Sequence, residues 1–409
     1  MYEKTILPSG IRIVSEYIPD VRSVTLGVWF EVGSRNELGD QQGYSHFIEH
    51  IVFKGSAKYS ARTIAELIDG VGGYLNAFTS REYTCYYASV LDQDFPLAAD
   101  ILKEMLLNPL FAAEEIERER QVILEEIKAS QDLPEDQVHE LFYELLWPEH
   151  PLGRSILGTE SSISQVTQED LIAYYRQHYT PDQVVIAAAG NIEHQALVDQ
   201  FAREFDALNQ NLRKADICLA KPTPTHSQIY TVAKDLEQVH ICCGGSGLNR
   251  SDPNLETLRL LDTLVGGGMS SRLFQELREN RGMVYNVYSD YALYRDAGEF
   301  LIYAACSPSA YRQVIEVIRQ EVELLALEPI SEAELKRIKG QAKGSLVLAL
   351  ESTMNRMVKL AKDEFNHRRI VPVDETLALI DQLSSLDLHS LAQTVLDVNR
   401  WNLVVLGPV

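Results

Sequence analysis

The sequence predicts an α+β protein of two duplicated domains, each a mainly antiparallel sheet flanked by helices. Three observations carry this expectation. Strand-like runs open both halves of the 409-residue chain: SVTLGVWFEVGS from Ser23 to Ser34 and VHICCGGSGL from Val239 to Leu248. Each ends in a Gly/Ser pair and is followed by a polar loop and then a helical stretch. Further on, YYASVLDQDFPLAADILKEMLLNPLFAAEEIERER in the first half matches IYAACSPSAYRQVIEVIRQEVELLALEPISEAELKRIK in the second. Both read as a strand, a turn, an amphipathic helix, a Pro-containing break and a second charged helix. Offsets between matched segments cluster near 215–219 residues, as for Val239 against Val24 and Leu335 against Ile116. A period that long signals domain duplication, since solenoid repeats run to only ~20–50 residues.

The aperiodic stretch QNLRKADICLAKPTPTHS, Gln210 to Ser227, carries Pro222 and Pro224 and reads as a linker. The expected domains are therefore residues 1–210 and 227–409, joined by 211–226. In the first, a polar, Gly-containing loop (GSRNELGDQQGYS) leads into a helix that carries HFIEH, with Ser45 or a residue slightly upstream as its cap. GGYLNAFTSREYTCYYASV, Gly72 to Val90, reads as a strand entered through a glycine turn, and AAEEIERERQVILEEIKAS, Ala112 to Ser130, as a charged helix. In the second domain DPNLETLRLLDTLVGGG is the counterpart of the HFIEH helix. It carries no His, and it runs into a flexible loop at Gly266, Gly267 and Gly268. That loop lacks a phosphate-binding fingerprint.

Composition narrows the function. With 45% hydrophobic and 23% charged residues the chain is an ordinary globular one, and no apolar run reaches the ~18–20 residues of a membrane helix. The N-terminal MYEKTILPSGIRIV has Glu3 and no apolar core, unlike a secretory signal. Cys85, Cys218, Cys242, Cys243 and Cys306 are odd in number and lack C-x-x-C spacing, so reduced thiols in a cytoplasmic protein are expected. The net charge of −22 is uneven. Residues 1–210 hold 15 basic and 34 acidic residues, a net of −19, whereas 211–409 hold 22 and 25, a net of −3. Such a field argues against nucleic acid and would attract a basic ligand.

HFIEH places His46 and His50 at i and i+4, on one face of a helix, where two imidazoles can reach one metal ion. Glu49 points toward the same side, positioned to take a proton from water at the metal. A catalytic zinc site ordinarily needs a third protein ligand. The Ala112–Ser130 helix is the best supply: Glu119 and Glu126 are seven residues apart and share nearly one face, while Glu115 and Glu125 project elsewhere. Solvation is the default for every Glu on so charged a helix, and composition alone does not single out Glu126.

HFIEH followed by ERERQVILEEI resembles the inverted zincins of the pitrilysin–insulysin family, most closely their mitochondrial processing peptidase-like branch. The resemblance spans essentially the whole chain. It implies two α+β halves facing one another across a chamber, with the first catalytic and the second a non-catalytic wall. It implies Glu126 as third ligand to one Zn2+ per chain, 76 residues beyond His50, and Glu119 as the residue supporting a ligand. Glu49 would be the general base. By the same likeness Asn76, Ala77 and Phe78 pair a substrate as an added strand. A core strand has little use for the Asn76 amide, whereas Phe78 suits a buried position equally well. Arg278 and Tyr285, seven residues apart in RLFQELRENRGMVYNV, match the family's Arg/Tyr pair that contacts substrate or stabilises its developing oxyanion. Arg281 rivals Arg278 on sequence alone.

The expected activity is zinc-dependent endoproteolysis of peptides or unfolded segments, basic presequence-like ones included, with no nucleic acid and no membrane partner. Zinc motif and Arg/Tyr pair lie in one chain, which departs from the heterodimeric processing peptidases and favours a homodimer. The competing expectation is a non-catalytic peptide-binding or assembly subunit of a larger complex. Degenerate subunits usually lack a ligand or the base, and here His46, Glu49, His50 and Glu126 are all present.

Overall fold

The structure, a computed structural model, describes residues 2–205 and 221–409. Most of the linker read at 211–226, with Cys218, lies outside the described residues. In chain order the strands are β1 (Tyr2–Ile6), β2 (Arg12–Tyr17), β3 (Ser23–Phe30), β4 (Tyr74–Thr79), β5 (Thr84–Leu91), β6 (Val184–Gly190), β7 (Ile229–Ala233), β8 (Val239–Ser246), β9 (Val284–Leu293), β10 (Gly298–Cys306) and β11 (Asn402–Gly407). The helices are α1 (Tyr44–Val52), α2 (Ala61–Gly70), α3 (Phe95–Leu107), α4 (Ala113–Asp132), α5 (Pro134–Leu146), α6 (Glu160–Gln165), α7 (Gln168–His178), α8 (His194–Phe205), α9 (Leu255–Val265), α10 (Tyr311–Leu327), α11 (Glu332–Ala349), α12 (Thr353–His367), α13 (Val373–Gln382) and α14 (Ser385–Val395).

The first sheet runs β1-β2-β6-β3-β5-β4 and the second β7-β11-β8-β10-β9. Among the described residues only β2–β6 and β7–β11 are parallel pairs, so both sheets are mainly antiparallel. Strand alternation sends Val28 and Phe30 of β3 to one face of the first sheet and Trp29 to the other. Both faces are buried, which is why β6 reads as an unbroken apolar run, Val184 to Gly190. One face packs on Phe47, Ile48 and Ile51 of α1 and on Ile101, Leu102 and Met105 of α3. The opposite face, with Val14, Trp29, Cys85 and Val185, is covered by Met357, Leu360, Ala361 and Phe365 of α12.

α12 thus comes from late in the chain to complete the first unit, and the second unit reciprocates. Its sheet buries Ile241 and Ile302 against α9, α10 and α14 on one face. On the other, Cys242, Leu301, Tyr303, Val404 and Leu406 meet Val138, Phe142 and Leu146 of α5. The compact units accordingly cross the division at 211–226: Ala349–Ile370 belongs with the first and Ser130–Arg154 with the second. Charge reinforces the α12 contact. Glu364 is fully buried, with Lys4 Nζ at 2.8 Å and Arg12 Nη1 at 3.8 Å.

Two local expectations are corrected. The stretch Gly72–Val90 is a hairpin, β4 and β5, because Ser80–Tyr83 turns the chain, with Ser80 N donating to Tyr83 O at 2.7 Å. The hairpin leaves β4 on the edge of the sheet. The glycine loop is tightly packed where flexibility was expected: a Cβ on Gly266 would lie 2.1 Å from Ser289 N, and one on Gly267 2.7 Å from Thr263 Cα. These glycines allow close backbone approach.

The exchange makes a testable statement. A fragment of residues 227–409 lacks α5 and exposes Leu301, Tyr303, Val404 and Leu406, so it should aggregate or unfold without cooperativity. Supplying residues 130–154 should restore a cooperative thermal transition followed by circular dichroism. A fragment that is monomeric and cooperative without them would mean α5 is dispensable to this core.

Candidate metal centre

α1 is amphipathic in a way that sets the site. Tyr44, Ser45, Phe47, Ile48, Ile51 and Val52 are buried against the first sheet and its helices, which leaves His46, Glu49 and His50 on the remaining, partly accessible side. The helix opens at Gly43, in the left-handed region with φ +88°, and no side chain of the helix caps it. The expected Ser45 cap is therefore corrected: Ser45 lies within the first turn, and the carboxylate of Glu37 accepts from the amides of Gly43 and Ser45, each at 2.8 Å.

α4 runs alongside and supplies the acids. His46 Nε2 and His50 Nε2 lie 3.7 and 3.6 Å from the same oxygen, Oε2 of Glu126. Candidate ligand atoms of all three residues fall within 4.8 Å of one another, and no other such His/Cys/Asp/Glu cluster occurs among the described residues. These separations exceed the ~2.7–2.9 Å of a charge-assisted hydrogen bond. They are the spacing of donors arranged around a common point. His50 Nδ1 lies 3.1 Å from Glu119 Oε2, and Glu119's other oxygen takes Lys54 Nζ at 2.7 Å. The buried carboxylate accepts the Nδ1 proton and so turns the lone pair of Nε2 toward Glu126. On α4, Ile116, Ile123 and Ile127 anchor the helix in the core, while Val122 faces outward.

Electrostatics agree with a metal site. Burial, then the neighbouring His50, pushes the His46 imidazolium down to about 3, so the ring is neutral and its lone pair available near neutral pH. Two imidazole nitrogens and a carboxylate oxygen, one imidazole oriented by a buried acid, form a donor set suited to zinc. Burial raises the Glu49 carboxyl, opposed by the hydrogen bond that Thr79 Oγ1 donates to Glu49 Oε2.

Thr79 ends β4, so the edge strand is tied to the helix of the site. On β4, Asn76 is exposed; its Oδ1 accepts from Ala77 N at 2.8 Å and its Nδ2 donates to Tyr74 OH at 2.6 Å. Phe78 is half-buried, edge-on to Trp29 with centroids 5.3 Å apart. In the second unit, Arg278 lies in a π-helical turn, Phe274–Asn280, its guanidinium 5.7 Å from the ring centre of Tyr285 on β9. Tyr285 is 73% exposed. Arg281 is engaged by Glu276 at 2.6 Å, which leaves Arg278 as the stacked cation. The counterpart of α1, α9, holds no metal cluster but keeps an acid–hydroxyl clasp to its edge strand: Asp262 Oδ1 accepts from Ser289 Oγ of β9 at 2.6 Å. Burial lifts that carboxyl to about 7.

Three residues of this arrangement escaped the sequence reading. Lys54 follows His50 by four positions, and that helical spacing was the available signal. Thr79 and Glu37 had none, because each meets the site only through the fold.

Residues 12–160 match the family model described as insulinase (peptidase family M16), and residues 165–342 match that of the peptidase M16 inactive domain. Similar proteins include an uncharacterized zinc protease of Streptomyces coelicolor, 41% identical over 99% of this chain and 89% of that protein. One of Bacillus subtilis is 40% identical over 95% of this chain and 93% of its own. Among solved structures, a protease from Helicobacter pylori aligns with a TM-score of 0.91 at 22% identity, over 100% of this chain and 99% of that one. A Pseudomonas fluorescens structure described as a peptidase M16 inactive domain reaches 0.93 at 20% identity, over 100% and 98%. With the inverted H-x-x-E-H helix and the duplicated α+β plan, these likenesses show that the chain belongs to the insulinase family, peptidase family M16.

Proposed function

We propose that this chain is a zinc-dependent endopeptidase that hydrolyses peptides or unfolded segments, in the manner of the processing peptidases. The observation that carries the proposal is the convergence of His46, His50 and Glu126 beside a half-buried Glu49 that is itself tied to an edge strand. One zinc per chain would be held by those three ligands. When bound, zinc supplies Lewis acidity to a carbonyl and acidifies water. Glu49 is the base: Thr79 holds Oε2, which leaves Oε1 to take the proton of the attacking water and return it to the leaving amine.

The substrate reading rests on β4, whose outer edge has no strand partner among the described residues. An extended peptide can add there, its backbone taking the outward amides and carbonyls. A peptide carbonyl would replace Asn76 Oδ1 at Ala77 N, releasing the Asn76 amide to bond the peptide, with Phe78 lining the floor. Arg278 and Tyr285 are proposed as peptide-contacting donors of the second unit. A homodimer is favoured by the presence of zinc motif and Arg/Tyr pair in one chain; a monomeric mass by light scattering would overturn it. A cytoplasmic location is supported by four buried free cysteines, Cys85, Cys242, Cys243 and Cys306, among the described residues. No described helix is long and apolar enough to cross a membrane.

Replacing Glu126 by Gln should weaken zinc by at least the ~10–100-fold that loss of a supporting partner brings, because a neutral amide is a poor ligand. Chelator competition and metal analysis measure this, and full occupancy would assign the third ligand to another residue. Glu49→Gln should retain zinc and bind peptide while turnover falls ~10²–10⁴-fold. Residual cleavage of a quenched peptide above about a tenth of wild type would remove Glu49 from the role of base. If the −19 charge of residues 1–210 steers substrate, basic peptides should show higher kcat/KM than acidic ones of equal length. That preference should fade toward 1 M salt, where screening shortens to ~3 Å. Equal rates at low salt would defeat steering and leave the zinc assignment standing.

A further inference from the structure

The helix that carries both histidines cannot hold its own first turn. Gly43 offers no capping side chain, and α1 has only nine residues, so each of its end groups matters. Two amides at its start are met by one side chain from outside the helix. Glu37, 2% exposed, straddles the N-terminus: Oε2 accepts from Gly43 N and Oε1 from Ser45 N, both at 2.8 Å. Its negative charge also opposes the positive end of the helix dipole. His46 is the third residue of α1, within this clamped turn, whereas His50 sits in the last turn and is held separately by Glu119.

Glu37 is itself fixed. It follows a single 3-10 turn, Ser34–Asn36, whose backbone bonds the β4–β5 turn: Ser34 N to Ser80 O at 3.3 Å and Arg35 N to Arg81 O at 2.8 Å. Gly33 permits that approach, since a Cβ there would lie 2.2 Å from Ser80 O. The buried pair Arg35–Glu82, at 2.7 Å, ties the same two segments by their side chains. Thr79, the donor to Glu49, directly precedes this turn. The start of α1 and the acid in its middle are therefore both referenced to one hairpin turn.

We infer that Glu37 is a positioning residue for the metal helix. Its two-oxygen clamp sets the axial position and rotation of the first turn of α1, and with them the placement of His46 Nε2 against Glu126. The inference rests on the zinc-peptidase reading of His46, His50 and Glu126. Loss of the clamp frees the turn that bears His46 and leaves His50 in place, so the metal loses one of two imidazoles while the core persists.

The test uses the full chain as Glu37→Gln, which keeps the shape but loses charge and one acceptor, and as Glu37→Ala. Leu197→Ala, a fully buried core truncation on α8, controls for destabilisation. Zinc affinity by chelator competition should fall at least tenfold in Glu37→Gln and further in Glu37→Ala, with Leu197→Ala unchanged. The d–d spectrum of the Co(II)-substituted protein should shift in the Glu37 variants only. With zinc saturating, Glu37→Gln should lower kcat with little change in KM. Wild-type zinc affinity and cobalt spectrum in Glu37→Gln, or equal weakening in Leu197→Ala, would overturn the inference. Should Glu37→Ala fail to fold, Glu37→Gln and amide exchange in the wild type decide: Gly43 and Ser45 amides exchanging at solvent rates would overturn the clamp. A wild-type protein that binds no zinc would defeat the metal reading, and the exchange result would still report on the clamp.

Discussion

Each sheet in this protein is apolar on both faces, and that constraint organises everything else. A sheet with two apolar faces needs two covers. The helices that follow each sheet's own strands cover one face. For the first sheet the other cover is α12, from late in the chain, and for the second it is α5, from the first half of the sequence. Strands such as β6, with Val185, Ala187 and Ala189 on one face and Ile186 and Ala188 on the other, would otherwise leave a wide hydrophobic surface in water. The duplication seen in sequence is therefore a duplication of sheets and near-side helices, with the far-side helices exchanged.

The same burial logic builds the candidate metal centre. α1 spends its apolar residues on the core, so its polar residues are confined to one side, and that side is where α4 brings Glu119 and Glu126. Burial then tunes the groups it surrounds: it keeps the His46 ring neutral and raises the Glu49 carboxyl. Thr79 joins that acid to the edge strand. The second unit repeats the clasp as Asp262 and Ser289, with Asp262 on α9, a helix that carries no histidine. This repetition suggests that tying the helix to the edge strand belongs to the architecture, and that the histidine pair of the candidate metal site is added to it on α1.

Much of the site was legible because a helix converts spacing into direction. His46, Glu49 and His50 needed only the i, i+3, i+4 rule, and the seven-residue interval of Glu119 and Glu126 needed only two helical turns. What spacing could not supply was which acid would meet the histidines; resemblance pointed to Glu126, and geometry brings its Oε2 near both rings. The glycine triplet misled, because glycine serves both flexibility and close approach and composition does not distinguish them. Gly72–Val90 misled as well, since Ser80–Tyr83 carries no glycine or proline to announce a turn.

By itself, the sequence determined the class of fold, its duplication, and the one-sided placement of His46, Glu49 and His50 on the HFIEH helix, because periodicity and local spacing are properties of contiguous residues. Tertiary structure alone decided which helix covers which sheet face, that β4 is an edge, and that Thr79, Lys54 and Glu37 meet Glu49, Glu119 and the start of α1. Those outcomes depend on contacts between residues far apart in the chain or on competition among many apolar surfaces for burial. Glu37 shows the difference well: as a letter it is one acid among many, and only the path of the chain from Gly33 to Gly43 turns its carboxylate onto two backbone amides.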